Sequence, residues 1–89
     1  MAKREKLEII YDILNTIRSN KNMMKLTPLL RKSNLSSTRF KEYYAELLQR
    51  NLLQEAENEG SRHVSVTEKG FRFLEKYHTI LDFIDEFEL

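Results

Sequence analysis

The segment that most constrains the fold runs from residue 26 to residue 53, where a short and a longer amphipathic stretch are joined by Ser33 to Ser36. Asn34 tolerates the left-handed backbone of a tight turn, and Ser36 is suited to cap a helix that begins near Ser37. Two helices that meet in a tight turn, followed by a hairpin, form an arrangement that presents the second helix to DNA. The segment therefore predicts a helix-turn-helix.

Each of the two predicted helices has one apolar face. In the first helix we expect Thr27 as the N-cap, Pro28 as the first helical residue, and the following leucines on the buried side. The second helix places its large apolar residues at helical spacing on one face: Phe40, Tyr43, Tyr44, Leu47 and Leu48. The side chains of the opposite face are mostly short and polar, so we expect this face to approach base edges. Its residues are Ser37, Thr38, Lys41, Glu42 and Ala45.

Three further elements complete the predicted fold. A first helix is expected over Lys3–Ser19, where apolar residues recur at spacings of three and four. Met23–Leu26 predicts a very short strand, and Leu52–Glu57 with Arg62–Val66 predicts a hairpin with which that strand would pair. A last helix follows Thr67, its expected cap. The fold class is therefore mainly α with a small β-hairpin (α+β).

Charge is divided unequally along the chain, although the net charge is only +1. Residues 1–50 hold 11 Lys and Arg against 5 Asp and Glu, which gives +6, whereas residues 51–89 hold 4 against 9, which gives −5. This polarity favours an anionic partner at one end of the protein, although an acidic helix can also be merely a solvated surface. Lys3, Arg4 and Lys6 are candidates for a basic arm, with simple disorder as the alternative.

Length and composition limit the other possibilities. The 89 residues suffice for one modest core, and no apolar run reaches the roughly 18 residues that span a membrane. The chain has no cysteine, which is natural in a reducing compartment. We therefore expect a soluble, cytoplasmic protein, although the absence of cysteine is compatible with any compartment.

The last predicted helix carries two adjacent stripes. One stays apolar to its end at the three-four spacing of a coiled-coil seam: Phe73, Tyr77, Ile80, Ile84 and Phe87. The other contains Leu81 but becomes acidic at Asp85 and Glu88. A narrow apolar seam favours a homodimer through this helix, with Leu81 at its margin; the alternative is a helix folded back onto its own domain. On this basis we divide the chain into a DNA-binding domain, residues 1–66, and a dimerisation helix, residues 67–89.

In its order of motifs, the chain resembles the archaeal winged-helix DNA-binding proteins whose C-terminal helices pair as an antiparallel coiled coil. The resemblance covers nearly the whole length and rests on residues in every element: Tyr11-Asp12-Ile13-Leu14, Thr27, Leu29, Asn34-Leu35-Ser36, Tyr43, Leu47, Leu52-Leu53, Val66-Thr67-Glu68-Lys69-Gly70, Phe71 and Leu74. One departure is Asn51, at the end of the second motif helix, where relatives usually carry Gly; Asn tolerates the same left-handed backbone. The hairpin, which is the wing in that family, is unusually acidic at Glu55, Glu57 and Glu59.

The resemblance implies a transcription regulator or chromosome-associated protein of an archaeon or of an archaeal virus or plasmid. The DNA-facing candidates on the second motif helix are Ser37, Thr38, Lys41 and the adjacent Arg39, which is equally plausible as a solvent-exposed residue. Further candidates for phosphate contacts are Arg31 and Lys32 at the end of the first motif helix and Arg62 after the wing turn.

Catalysis has little support in the sequence. The only histidines, His63 and His78, fall on different predicted elements, and neither a metal-binding cluster nor a glycine-rich phosphate loop is recognisable. We expect no enzymatic activity, no cofactor and no small-molecule effector. The expected partners are double-stranded DNA and a second copy of the chain, with no membrane; the alternatives are an architectural chromosome protein and a protein-interaction module that does not bind DNA.

Overall fold

The computed structural model describes residues 2–89, with side chains from residue 5 onward. Its elements follow one another in the order α1 Ala2–Ser19, α2 Leu26–Ser33, α3 Ser37–Gln49, β1 Leu53–Asn58, β2 Ser61–Val66 and α4 Glu68–Glu86. This order confirms the predicted mainly helical fold with one hairpin. The side chains of Lys3 and Arg4, which belong to the predicted basic arm, are not among those that the structure describes.

The turn between α2 and α3 has the predicted local chemistry. Asn34 adopts a left-handed conformation with φ of 62°, and the Ser36 hydroxyl accepts a hydrogen bond from the Arg39 backbone N–H at 3.2 Å. The predicted cap of α2 at Thr27 is wrong, because the helix begins at Leu26, which packs against the core. Pro28 is therefore the third helical residue, and its missing N–H costs little there because the first four N–H groups of a helix have no intrahelical partner.

The hairpin is tighter than predicted, and the extra strand is reduced to a single bridge. The turn between β1 and β2 consists of Glu59 and Gly60, which both have positive φ (53° and 78°), as a two-residue hairpin turn of this kind requires. In place of the predicted strand, only Met24 pairs with Val64. The Asn22 side chain then takes over the role of a strand backbone, donating to the carbonyl of Val66 at 3.2 Å and accepting from its N–H at 2.8 Å.

All six elements contribute to one hydrophobic core. Its fully buried side chains come from helices and hairpin alike: Ile13, Leu14, Ile17, Leu29, Leu47, Leu53, Val64 and Leu74. Burial of a side chain of this size stabilises the fold by roughly 1.5–3 kcal/mol. The core therefore fixes α3 between α2 and the hairpin and leaves the outer face of α3 to solvent.

The junction of α3 and α4 is held by one buried threonine. Thr67 donates through its hydroxyl to the carbonyl of Asn51 at 2.7 Å and accepts from the Gly70 N–H at 3.0 Å, which confirms it as the cap of α4. Asn51 has φ of 62°, the predicted left-handed residue after α3. A Cβ atom on Gly70 would overlap the carbonyl oxygen of Leu52 and lie 2.5 Å from Cγ1 of Val66. This packing sets the direction in which α4 leaves the domain.

The two halves of α4 differ in their surroundings. Tyr77, in the first half, is buried and stacks on Tyr11 of α1 with ring centroids 4.7 Å apart. Ile80, Phe83 and Phe87, further along, are 46, 56 and 54% exposed. Within residues 2–89, no helix has the length and apolar character needed to cross a membrane.

Candidate nucleic-acid interface

The first half of α3 presents a polar surface on the side of the helix that faces away from the core. Phe40 and Leu47 are buried, whereas Ser37, Thr38 and Lys41 are exposed. The amphipathic division of α3 is therefore confirmed. Because Ser37 and Thr38 have short side chains, a ligand can approach the helix backbone closely at this point.

Arg39 is directed back towards α1. Its guanidinium lies 3.3 Å from the Glu5 carboxylate, and its Cζ atom is 5.9 Å from the centre of the Tyr43 ring. The Arg39 side chain is still 49% exposed. Any anion that binds Arg39 must therefore compete with Glu5, a contact that the sequence pattern did not predict.

Arg31 and Lys32 occupy the last turn of α2 and are both exposed. The short turn at Asn34 follows them, so only a few residues separate them from the start of α3. Cations at the C-terminal end of a helix are also favoured by the helix dipole, so their position has a structural explanation as well.

The wing is tied to α3 by a chain of polar contacts. The Tyr44 hydroxyl donates to the carboxylate of Glu55 on β1, and that carboxylate lies 4.0 Å from the guanidinium of Arg62 on β2. Burial, and then the hydrogen bond to Glu55, raises the pKa of Tyr44. The sequence assigned Tyr44 only to the core, whereas the structure makes it the link between α3 and the wing.

This link brings Arg62 towards the candidate interface but leaves it beside an acidic group. The Arg62 side chain is 63% exposed, and Glu57 and Glu59 on the same hairpin are exposed too. The candidate interface therefore comprises the start of α3 and the end of α2, with the wing as its more acidic border.

The six residues predicted at the dimer interface have different environments in the single chain. Tyr77 is buried against Tyr11, and Phe73 stacks on Tyr77 with centroids 6.0 Å apart. Leu81 and Ile84 are partly buried, while Ile80 and Phe87 are exposed. The first two residues thus have partners within the chain, whereas the late turns retain accessible apolar surface.

The comparisons with known proteins agree with this architecture. The family model described as winged helix-turn-helix matches residues 3–85. No curated protein is similar enough in sequence to count as a relative. In the part of the chain that the structure describes, no group of three or more histidine or acidic side chains is arranged to hold a metal ion.

Several solved structures share the fold. Sso10a-2, a DNA-binding protein from Sulfolobus solfataricus, is 17% identical with a TM-score of 0.72, over 92% of this chain and 83% of that one. F93 from STIV, a winged-helix DNA-binding protein, is 21% identical with a TM-score of 0.70, over 80% and 84% of the two chains. SSV1 F-93 is 20% identical with a TM-score of 0.64, over 91% of each. At these identities the similarity establishes the winged-helix fold.

Proposed function

Because this chain belongs to the winged helix-turn-helix family, we propose that it is a double-stranded DNA-binding protein that acts as a homodimer, with α3 in the major groove. The observation that carries the proposal is the exposed polar surface on the first half of α3. There Lys41 lies one helical turn from the short side chains of Ser37 and Thr38. The DNA-binding descriptions of Sso10a-2 and F93 support the same partner.

Each candidate residue has a role that its length and charge suit. Ser37 and Thr38 approach base edges, where their hydroxyls discriminate only weakly between bases. Lys41 reaches a phosphate or a base edge one turn further along α3. Arg31 and Lys32 contact phosphates beside the turn, and these contacts position the protein without reading sequence.

Arg39 and Arg62 join the interface only when DNA replaces their present carboxylate partners. The present contacts are long, at 3.3 and 4.0 Å, whereas a phosphate can accept two parallel hydrogen bonds from a guanidinium. Glu5 and Glu55 would then be released from the arginines, so these two contacts contribute less to affinity than those of Lys41.

We propose a sequence-preferring transcription regulator, associated with the nucleoid and of archaeal or archaeal viral origin. Residues 1–66 form its DNA-binding part, and residues 67–89 form the dimerisation helix. Two recognition helices related by a two-fold axis call for half-sites about 34 Å apart, or a multiple of that distance. Neither catalysis nor a cofactor has a part in this proposal.

Salt dependence of binding tests the proposal. Lys41→Ala should weaken binding to a duplex, and it should lower the slope of log affinity against log salt by about 0.9 for each lost phosphate contact, or about 1.8 per dimer. Arg18→Ala, which removes a charge from α1, an element that the proposal leaves off the DNA, is the control and should leave the slope unchanged. A folded Lys41 variant whose affinity and salt slope both match those of the parent would show that α3 is not the reading helix.

Two further results separate the alternatives. A regulator should prefer one site over random duplex by roughly a thousandfold or more, which footprinting measures. Uniform coating of every duplex would instead indicate an architectural chromosome protein. Failure of the parent protein to bind any duplex at low salt would refute DNA binding and leave the role of a protein-interaction module.

A further inference from the structure

The wing hairpin turns one of its two faces towards the domain. Directly opposed residues of an antiparallel pair lie on the same face, and the faces alternate along each strand. By the register of β1 and β2, one face consists of Leu53, Glu55, Glu57, Arg62, Val64 and Val66. Val64 and Val66 are buried in the core, and Glu55 reaches Tyr44 on α3. Arg62 therefore leaves the hairpin on the side of α3, next to the candidate interface.

Glu55 faces Tyr44 and Arg62 through different oxygen atoms. Its Oε2 atom accepts the hydrogen bond from the Tyr44 hydroxyl, whereas its Oε1 atom lies 4.0 Å from the guanidinium of Arg62. A separation of 4.0 Å is beyond hydrogen-bond range, so the contact with Arg62 is a loose ion pair. The bond to Tyr44 thus holds the carboxylate at a place from which it does not close on Arg62.

Tyr44 is a rigid donor because the core fixes its ring. The ring stacks on the buried side chain of Phe40, with centroids 5.7 Å apart and an interplanar angle of 17°. Phe40 and Tyr44 are one turn apart on α3, so the Tyr44 ring moves with that helix. Burial and the bond to Glu55 also raise the pKa of Tyr44, so the hydroxyl keeps its proton at neutral pH.

The two arginines at the candidate interface leave different partners behind when a phosphate binds them. Glu5, the partner of Arg39, has a side chain that is 62% exposed, and water can hydrate it after release. The Glu55 side chain is only 30% exposed, so water replaces a lost partner less completely there. A carboxylate that is shielded from water and has no donor is costly. Tyr44 supplies the donor that Glu55 keeps when Arg62 departs.

We propose that Tyr44 is a positioning residue for DNA binding, whose hydroxyl retains Glu55 and so leaves Arg62 available to a phosphate. The proposal rests on the DNA-binding function proposed above and assigns a role in it to a side chain that acts through the wing. Without the Tyr44 hydroxyl, the carboxylate is free to form two parallel hydrogen bonds with Arg62, and this pair competes directly with phosphate.

The size of the effect follows from the strength of exposed ion pairs. Such a pair changes an equilibrium by up to about fivefold. We take about threefold for each wing, which gives about tenfold for a dimer that uses both wings.

Duplex affinity of single and double variants tests the role of Tyr44. Tyr44→Phe keeps the ring, removes only the hydroxyl, and should weaken binding about tenfold because Glu55 then pairs with Arg62. In a Glu55→Gln background the same substitution should have no effect, since no carboxylate at this position competes for the arginine. In an Arg62→Ala background it should again have no effect, since the phosphate contact is already absent. Fluorescence anisotropy at one fixed salt concentration measures all of these affinities.

Two controls are matched to these variants. In a Glu57→Gln background, which removes the carboxylate directly opposite Arg62 instead, the effect of Tyr44→Phe should persist. Tyr11→Phe removes a hydroxyl from another stacked tyrosine, one that faces His78 on α4, and should bind like the parent. Circular dichroism shows that each variant is folded at the temperature of the binding assay.

Three outcomes would overturn the inference and leave the DNA-binding function intact. Equal weakening by Tyr44→Phe in the parent and in the Glu55→Gln background would show that Tyr44 only shapes α3. Parent affinity in Tyr44→Phe would show that Glu55 does not compete for Arg62. Parent affinity and an unchanged salt slope in Arg62→Ala would show that Arg62 makes no phosphate contact. If the parent protein binds no duplex at low salt, the proposed function and the role of Tyr44 are both wrong.

Discussion

Replacement of Thr67 by valine isolates the polar contacts that join α3 to α4. Valine keeps the shape of threonine but can neither donate to the Asn51 carbonyl nor accept from the Gly70 N–H. Loss of an N-cap costs about 1 kcal/mol, and loss of a second hydrogen bond from a buried hydroxyl costs about another. We therefore expect Thr67→Val to lower the free energy of unfolding by about 2 kcal/mol.

Thr67→Ser is the matched control. Serine keeps the hydroxyl and loses one methyl group, which costs about 0.8 kcal/mol when the group is buried. For a domain of this size each kcal/mol corresponds to about 4–8 °C in Tm. The valine variant should thus unfold about 8–16 °C below the parent and the serine variant about 3–6 °C below it.

Urea and thermal unfolding followed by circular dichroism measure both variants. A valine variant as stable as the parent would show that the Thr67 hydroxyl does not hold the junction. The reasoning would be refuted as well if the valine variant were less stable but the serine variant lost just as much.

Two other substitutions test contacts around α3 and α4. Gly70→Ala should destabilise the domain by about 1–3 kcal/mol or more, because the new methyl group overlaps backbone atoms. In Gly60→Ala the new methyl group meets nothing within 4 Å, so the substitution should cost only the strain of the left-handed φ, about 1–2 kcal/mol. Urea titrations check this and should give equal m-values and a larger loss of stability for the Gly70 variant. The pKa of Tyr44 in the folded protein lies above its usual value of about 10, so the parent should lose stability as the pH rises past that value. The Tyr44→Phe variant should lose less stability over the same range. If the free energies of unfolding of the two proteins ran parallel above pH 10, the contact between Tyr44 and Glu55 would be contradicted.

Features governed by local backbone chemistry are predictable from this sequence. Asn34 and Asn51 take the left-handed conformation, and Ser36 and Thr67 cap the helices that follow them. Each of these roles depends on the residue type and on bonds to groups a few positions away. The amphipathic spacing of α3 is equally local, so its buried and exposed faces follow from the sequence as well.

Where packing competes with local preference, the prediction is wrong. Thr27 is a residue type that commonly caps helices, but α2 begins at Leu26 because that side chain packs against the core. Met24 pairs with Val64, yet the predicted strand does not extend towards Leu26 because α2 begins at that residue.

The contacts of the candidate interface depend on long-range placement, so the sequence alone does not reveal them. Arg39 and Glu5 are 34 positions apart and meet only because the fold brings the start of α1 within side-chain reach of α3. Glu55 joins Tyr44 to Arg62 because the register of the hairpin places β1 and β2 together. A count of exposed cations therefore overestimates the charge available to DNA on this surface.

The excess of positive charge in residues 1–50 illustrates the same point, because the structure distributes these cations over several surfaces. Lys41 stands near the start of α3, whereas Arg50 follows its end and lines a groove between α1, α3 and α4 with Lys6. From Ser37 to Arg50 the helix covers about 20 Å, more than the Debye length of about 8 Å at physiological salt. Exposed charges at the two ends of α3 are therefore largely screened from each other in solution, whereas Lys6 and Glu46, which line the groove, also line a smaller pocket with Arg39.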